Sequence, residues 1–353
     1  MLPLAEVLRR HWPAYERKFR ARLLPSHRRA VAAILSCRTP ALGGQLYRCD
    51  CGQQLFAYHS CNHRACPQCG HADASQWLAR QRQRLLPVPY YLVTFTVPEQ
   101  LRQIIRAHPK ELYGALFRES AHTLTDVALS KLGIELGFIG VLHTWTRQLI
   151  YHPHIHYLVP GGGLSPDWLR WLRVEDPQFF LPIAVLAARF KSRLQQWLQT
   201  QHQHLHQQIP AAVWCLDWVV DVQPVGRGQT ALRYLAAYVQ KTALSAARLV
   251  ACDSTTVTFT YQERVSGHTR TLPLSGEEFL RRFLQHVLPT GFQRVRCFGW
   301  LSAAATKRWQ RIQALLDWKP SVPPFTPTPG QAPHCPRCNK PMRLWGPLPR
   351  PPP

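Results

Sequence analysis

Six cysteines fall between Cys37 and Cys69, in the stretch SCRTPALGGQLYRCDCGQQLFAYHSCNHRACPQCGH. So much Cys, His and Gly, so irregularly arranged, is unsuited to a hydrophobic core, and the segment needs another organising force. The N-terminal MLPLAEVLRRHWPAYERKFR places charges where a signal peptide needs its apolar stretch. The chain is therefore read as unexported, and clustered thiols in a reducing compartment favour zinc over disulfides. Zinc takes four ligands near a tetrahedron, often from two Cys-x-x-Cys knuckles. Cys66-Pro-Gln-Cys69 is one knuckle, and Cys49-Asp-Cys51 stands where its partner belongs, one residue shorter. Cys37, Cys61, His59, His63 and His71 are further donors, enough for one zinc with donors to spare or for two. A late pair, Cys335 and Cys338, is half a site: its partner is His334 or a distant segment, or the pair stays free.

Charge narrows the partners. Lys and Arg number 43 against 19 Asp and Glu, a formal +24, and the obvious polyanion for such an excess is nucleic acid. No apolar run reaches the roughly 18 residues needed to span a bilayer, so a soluble protein of the cytoplasm with no membrane partner is expected.

Residues 1–36 read as helical, and ASQWLARQRQRLL as a further helix after the cysteine segment. VPYYLVTFTVPEQLR predicts a strand leading into a turn and helix, with helices over 99–133. FIGVLHTWTRQ and the histidine-bearing LIYHPHIHYLVPGGG predict two strands, the second ended by Gly161, Gly162 and Gly163. Residues 182–207 read as helical, AVWCLDWVVDVQPV as a strand, ALRYLAAYVQKTALS as a helix, TTVTFTYQERVSGHTRTLPL as a hairpin and GEEFLRRFLQHVLP as a helix. Proline fills 13 of the last 34 residues, which predicts an extended tail without regular helix or sheet. The expected fold class is α+β, a central antiparallel sheet flanked by helices. The expected domains are a zinc-binding module over 1–85, a catalytic domain over 86–318 and a Pro-rich tail over 319–353.

His152, His154 and His156 alternate, so in a strand they share one face. Three imidazoles in an apolar run call for partners, and His154 with His156 could hold one divalent metal from one side. The third ligand would be His152, His143 on the preceding strand, or a Gln or Glu from a helix. Such a metal keeps open positions for a substrate oxygen. In RYLAAYVQKTALS, Tyr234 and Tyr238 lie one helical turn apart with Lys241 on the same side. Such a pair is either core packing or a pair of nucleophiles, and a metal-polarised phosphodiester is an electrophile that a tyrosine can attack. QHQHLH, by contrast, does not gather His202, His204 and His206 on one helical face.

The zinc cluster, LVTFTVPEQLR, GVLHTWTRQLIYHPHIHYLVPGGGL, FFLPIAVLAARFK, RYLAAYVQKTALSAARL and GEEFLRRFLQHVLPTGFQRVRCFGWL occur in that order. In this combination the chain resembles the rolling-circle insertion-sequence transposases of the two-tyrosine HUH nuclease class, over nearly its whole length. Cys49-Asp-Cys51 departs from the Cys-x-x-Cys of that pattern. The resemblance implies an HUH-type nuclease domain in which His154 and His156 bind Mg²⁺ or Mn²⁺, and Tyr234 or Tyr238 attacks single-stranded DNA at an element end. A 5′-phosphotyrosine and a free 3′-hydroxyl result, and strand transfer needs no nucleotide cofactor. Lys241 would offset charge on the phosphate or tyrosinate, or is simply solvated. The zinc module would recognise the element end or be purely structural, with Arg64 and Arg147 as DNA contacts. A bacterial, nucleoid-associated location follows. Three other readings stand beside it: a replication initiator or relaxase-type nickase, a catalytically inactive zinc-dependent DNA-binding protein, and a water-using metallohydrolase. The last would need a carboxylate base, and none lies between Tyr151 and Ser165.

Overall fold

The computed structural model describes residues 2–69, 71–176, 178, 180–227, 230, 232, 242–263, 265–320 and 332–351, with backbone only for 71–75. Helices α1 (Leu4–Phe19) and α2 (Pro25–Ser36) lead into the hairpin β1 (Gly44–Arg48) and β2 (Gln54–Tyr58), then α3 (His71–Arg82). Strand β3 (Pro89–Thr96) is followed by α4 (Arg102–Ala107), α5 (Pro109–Leu132), β4 (Gly137–Trp145) and β5 (Tyr151–Pro160). Then come β6 (Gly162–Leu164), β7 (Trp171–Arg173), α6 (Ile183–Gln201), α7 (Gln203–His206) and β8 (Val220–Arg227). The chain continues through β9 (Leu249–Cys252), β10 (Thr256–Gln262), β11 (Thr269–Ser275), α8 (Gly276–Leu284), β12 (Val295–Gly299), α9 (Thr306–Leu315) and β13 (Arg343–Leu348). The mixed architecture with antiparallel sheets is the one expected.

The central sheet runs β12-β4-β5-β3-β8, every neighbour antiparallel. Its two faces follow from the two-residue period of each strand. Phe95, Leu142, Ile155 and Val220 face a core shared with α5 and α6. On the other face, Tyr90, Ile139, Val141 and Leu158 meet Trp300 and Ile312, the latter from α9. Strand β5, in the middle of the sheet, is apolar from Tyr157 to Pro160, where it is covered on both sides. Further along this second face the apolar residues give way to Thr94, His143, His154 and His156.

A second core joins segments far apart in sequence. Leu4, Val7, Leu8 and Trp12, spaced to one face of α1, pack with Phe279, Leu280 and Phe283 of α8, Val257 and Phe259 of β10, and Leu149 between β4 and β5. The close approach depends on Gly276: a Cβ there would lie 2.0 Å from Nδ1 of His11. This cluster crosses the expected boundary at residue 85.

Two expectations change. The Pro-rich tail carries β13, an edge strand in the order β13-β1-β2. Pro347, opposite Gln45, is tolerated because an edge strand has one side that needs no N–H. In the segment 212–225 the chain first makes a short 3₁₀ turn, Ala211–Cys215, and the strand starts only at Val220. As expected, β5 ends just before the three glycines, of which Gly162 and Gly163 open β6, paired with β7. Among the described residues no helix is long and apolar enough to cross a membrane.

Candidate metal centre and its surroundings

His143 on β4 is the direct cross-strand partner of His154 on β5, and His156 sits one pleat further. Candidate ligand atoms of His143, His154 and His156 all lie within 4.8 Å of one another. Between the pairs His143–His154 and Trp145–Tyr151 the ladder shifts register, with His152 and Pro153 on β5 facing Thr144 alone. Proline, lacking an N–H, suits such a bulge. His152, with its ring centroid 4.9 Å from that of His154, is not part of the three-ring group.

The rings are held for ligation. His154 Nδ1 lies 2.7 Å from the His152 carbonyl oxygen. A carbonyl only accepts, so Nδ1 carries the proton and Nε2 keeps the lone pair that a metal takes. His156 Nδ1 is 2.9 Å from Thr94 Oγ1, held by the strand on the other side. Burial disfavours the charged rings, taking His154 down to about 4 and His156 to about 3. Both are therefore neutral at physiological pH. The donor set suits a divalent cation. Among the described residues it contains no carboxylate, so the charge of a bound dication is left for an anionic substrate oxygen.

A basic cleft of about 410 Å³ is lined by Arg102, Arg106, Arg281 and Arg282 with Glu99, Gln285 and Tyr151, and its Arg102 lies close enough to His152 and His154 to disfavour their charged forms. Arg281 and Arg282 are held by Glu278, and Arg102 by Glu99. Burial and the neighbouring Arg281 charge both pull the Arg106 pKa down, a like-charge strain that a bound anion would relieve. None of these arginines was singled out from sequence. They come from α4 and α8, which only the fold brings together.

Tyr234, Tyr238 and Lys241 lie outside the described residues. Just beyond them, Thr242 and Ala243 line a small cavity with Trp145 and His286, and the Trp145 ring stacks on that of His143 at 4.8 Å. His202 and His206 rest against Trp197 and Trp214 and join no metal-binding group among the described residues. Arg64 donates to the carbonyls of Pro289 and Phe292, tying the cysteine loop to the segment after α8. Exposed Arg147 donates to the Gln262 carbonyl.

The cysteines separate into two groups of four. Cys37, at the end of α2, meets Cys61, Cys66 and Cys69, with Sγ–Sγ separations of 3.3 Å for Cys37–Cys69 and 3.5 Å for Cys61–Cys69. Hydrogen bonding from Cys66 favours the Cys61 thiolate and pulls it down to about 5, while the Cys66 thiol is pushed up. A dication is what lets all four ionise together. The expected pairing of Cys49 and Cys51 with Cys66 and Cys69 in one site is not what forms, because Cys49 and Cys51 face Cys335 and Cys338. His59 and His63 join neither group. His63 Nδ1 instead accepts from the Ala65 N–H within the loop, and His59 is exposed. The side chain of His71 is outside the description.

Comparison with known proteins bears on these features. Residues 137–308 match a family described as "Putative transposase", and residues 7–97 match a transposase zinc-binding domain. The chain is 37% identical over 319 residues to a protein named "Putative transposase y4qJ" from Sinorhizobium fredii, covering 84% of this chain and 80% of that one. It is 28% identical over 300 residues to the transposase for insertion sequence element IS801 of Pseudomonas savastanoi pv. phaseolicola, covering 77% and 69%. No solved structure matches the chain.

Proposed function

The chain belongs to the IS91 family of insertion-sequence transposases, and on that premise we propose that it nicks single-stranded DNA at element ends through a 5′-phosphotyrosine and transfers the strand in rolling-circle fashion. The observation that carries this reading is the group of His143, His154 and His156, whose candidate ligand atoms lie within 4.8 Å of one another, with Arg102 of an arginine-lined cleft close enough to disfavour the charged form of His154. A Mg²⁺ or Mn²⁺ ion held there would polarise the scissile phosphate.

The protein's own residues do the rest. The cleft arginines neutralise the phosphates of one strand. Tyr234 or Tyr238 attacks phosphorus: the tyrosine O–P bond forms and the P–O3′ bond breaks. The phenol gives up its proton and the 3′-oxygen takes one up. The phosphodiester energy is kept in the tyrosyl ester, so rejoining to a new 3′-hydroxyl needs no ATP. A second tyrosine lets the same site cleave again before the first strand leaves. Lys241 offsets charge on the phosphate or tyrosinate. The position of Thr242 and Ala243, one ring away from His143, supports delivery of the tyrosines to this face.

The test is cleavage of labelled single-stranded DNA carrying an element end, with Mg²⁺ or Mn²⁺ added. Loss of cleavage in His154→Ala and His156→Ala, with the fold retained, supports the reading. Undiminished cleavage in both variants overturns it.

A further inference from the structure

We propose that Cys49, Cys51, Cys335 and Cys338 bind a structural zinc of their own, which clasps the C-terminal tail onto the N-terminal hairpin. The pairs are separated by more than 280 residues of chain, yet Cys49 Sγ lies 3.4 Å from Cys338 Sγ and Cys51 Sγ 3.6 Å from Cys335 Sγ. All four sulfurs lie within 4.8 Å of one another. A tetrahedron built on a Zn–S bond of about 2.3 Å has edges of about 3.8 Å, so the spacing suits the ion.

The backbone is shaped to match. Cys335 and Cys338 flank a tight turn in which the Asn339 N–H donates to the Cys335 carbonyl and the Arg337 N–H donates to Cys335 Sγ. Cys49 and Cys51 flank the β1–β2 turn, where the Gly52 N–H donates to the Cys49 carbonyl. Two turns thus present two sulfurs each to one point.

A second observation says why an ion is needed. Among the described residues the three-stranded sheet β13-β1-β2 has a core of only Cys49, Cys335 and Met342, with Tyr47 and Leu55 partly buried against it. So small an apolar cluster does not stabilise a sheet unaided, and modules of this size rely on disulfides or metals. The cysteines form no disulfide here. Four thiolates around Zn²⁺ carry net negative charge, and Arg48, Arg337, Lys340 and Arg343 lie in or beside the elements that hold them.

The experiment counts zinc per full-length chain in a His154→Ala background, which removes the imidazole group as a third binder. Two zincs are expected, falling to one in the Cys335→Ser, Cys338→Ser double variant and staying at two in Cys338→His, which keeps a ligand. Protease cleavage of the tail should speed up at least tenfold in the double variant alone. One zinc before the serine substitutions, or two after them, overturns the clasp. Should the double variant fail to fold, ¹¹³Cd NMR of the cadmium-loaded wild-type chain decides: two tetrathiolate resonances support the clasp and a single one removes it.

Discussion

His143 and His154 face each other across the β4–β5 ladder, with ring centroids 5.3 Å apart and planes at 81°. Near-perpendicular rings aim their nitrogens at a common point rather than stacking. A residue that holds one ring in its orientation therefore matters to metal binding without touching the metal.

Thr94 is such a residue, through His156 Nδ1. Thr94→Val keeps the shape and removes the hydroxyl. It should weaken Mn²⁺ affinity by about 10-fold, the lower end of the range for outer-shell partners, and raising the metal concentration should restore cleavage. Calorimetric titration checks the first part, and unchanged affinity would show that the hydroxyl does not orient the ring.

The pH response follows from burial. In the folded chain His154 and His156 are held at about 4 and about 3, below the ordinary His value near 6.5. At these two rings protons therefore do not compete with metal until the pH approaches 4, and their contribution to Mn²⁺ affinity should stay flat from pH 7 to pH 5. A solvent-exposed pair would lose about 30-fold per ring over that range. For stability the sign is the same: the unfolded chain takes up protons first as the pH falls. The metal-free stability contributed by these rings is complete above about 6.5 and is lost as the pH falls through 4 and 3. An affinity that falls with a midpoint near 6.5 would contradict the burial account.

Arg106 and Arg281 are predicted to carry phosphate contacts. Changing both to Gln should weaken single-stranded DNA binding across all sequences and reduce the salt slope by about 1.4, two contacts at about 0.7 each. Mn²⁺ affinity should not change. Fluorescence anisotropy at several salt concentrations measures this, and an unaltered slope would remove the cleft from the DNA path.

Gly276→Ala tests the packing between α1 and α8. The new methyl meets the His11 ring, and overpacking of this kind costs about 1–3 kcal/mol. Denaturant titration should show that loss, with partial recovery when His11→Ala is added. A neutral Gly276→Ala would mean that α1 shifts freely.

How much of this was legible in the sequence depends on range. The two-residue period put His154 and His156 on one face, and neighbouring strands made His143 a candidate. Choosing His143 over His152 took the bulge at Pro153, which no local pattern announces. The cysteines show the same limit. Cys49 and Cys51 were matched with the nearest knuckle, whereas the fold closes them onto Cys335 and Cys338. The prolines of the tail argued against a strand, and an edge position is the one place where that argument fails. The arginine cleft left no trace in sequence, since α4 and α8 meet only through the tertiary fold.

The central claim is that a tyrosine of this chain becomes joined to DNA. The most direct test incubates end-labelled single-stranded element DNA with Mg²⁺ or Mn²⁺ and runs the products on a denaturing protein gel. Wild type runs beside Tyr234→Phe, Tyr238→Phe and the double variant. A labelled protein band that needs the metal and disappears in the double variant is the predicted result. Cleavage that persists in the double variant, with no covalent band in any lane, would make water the nucleophile and contradict the account.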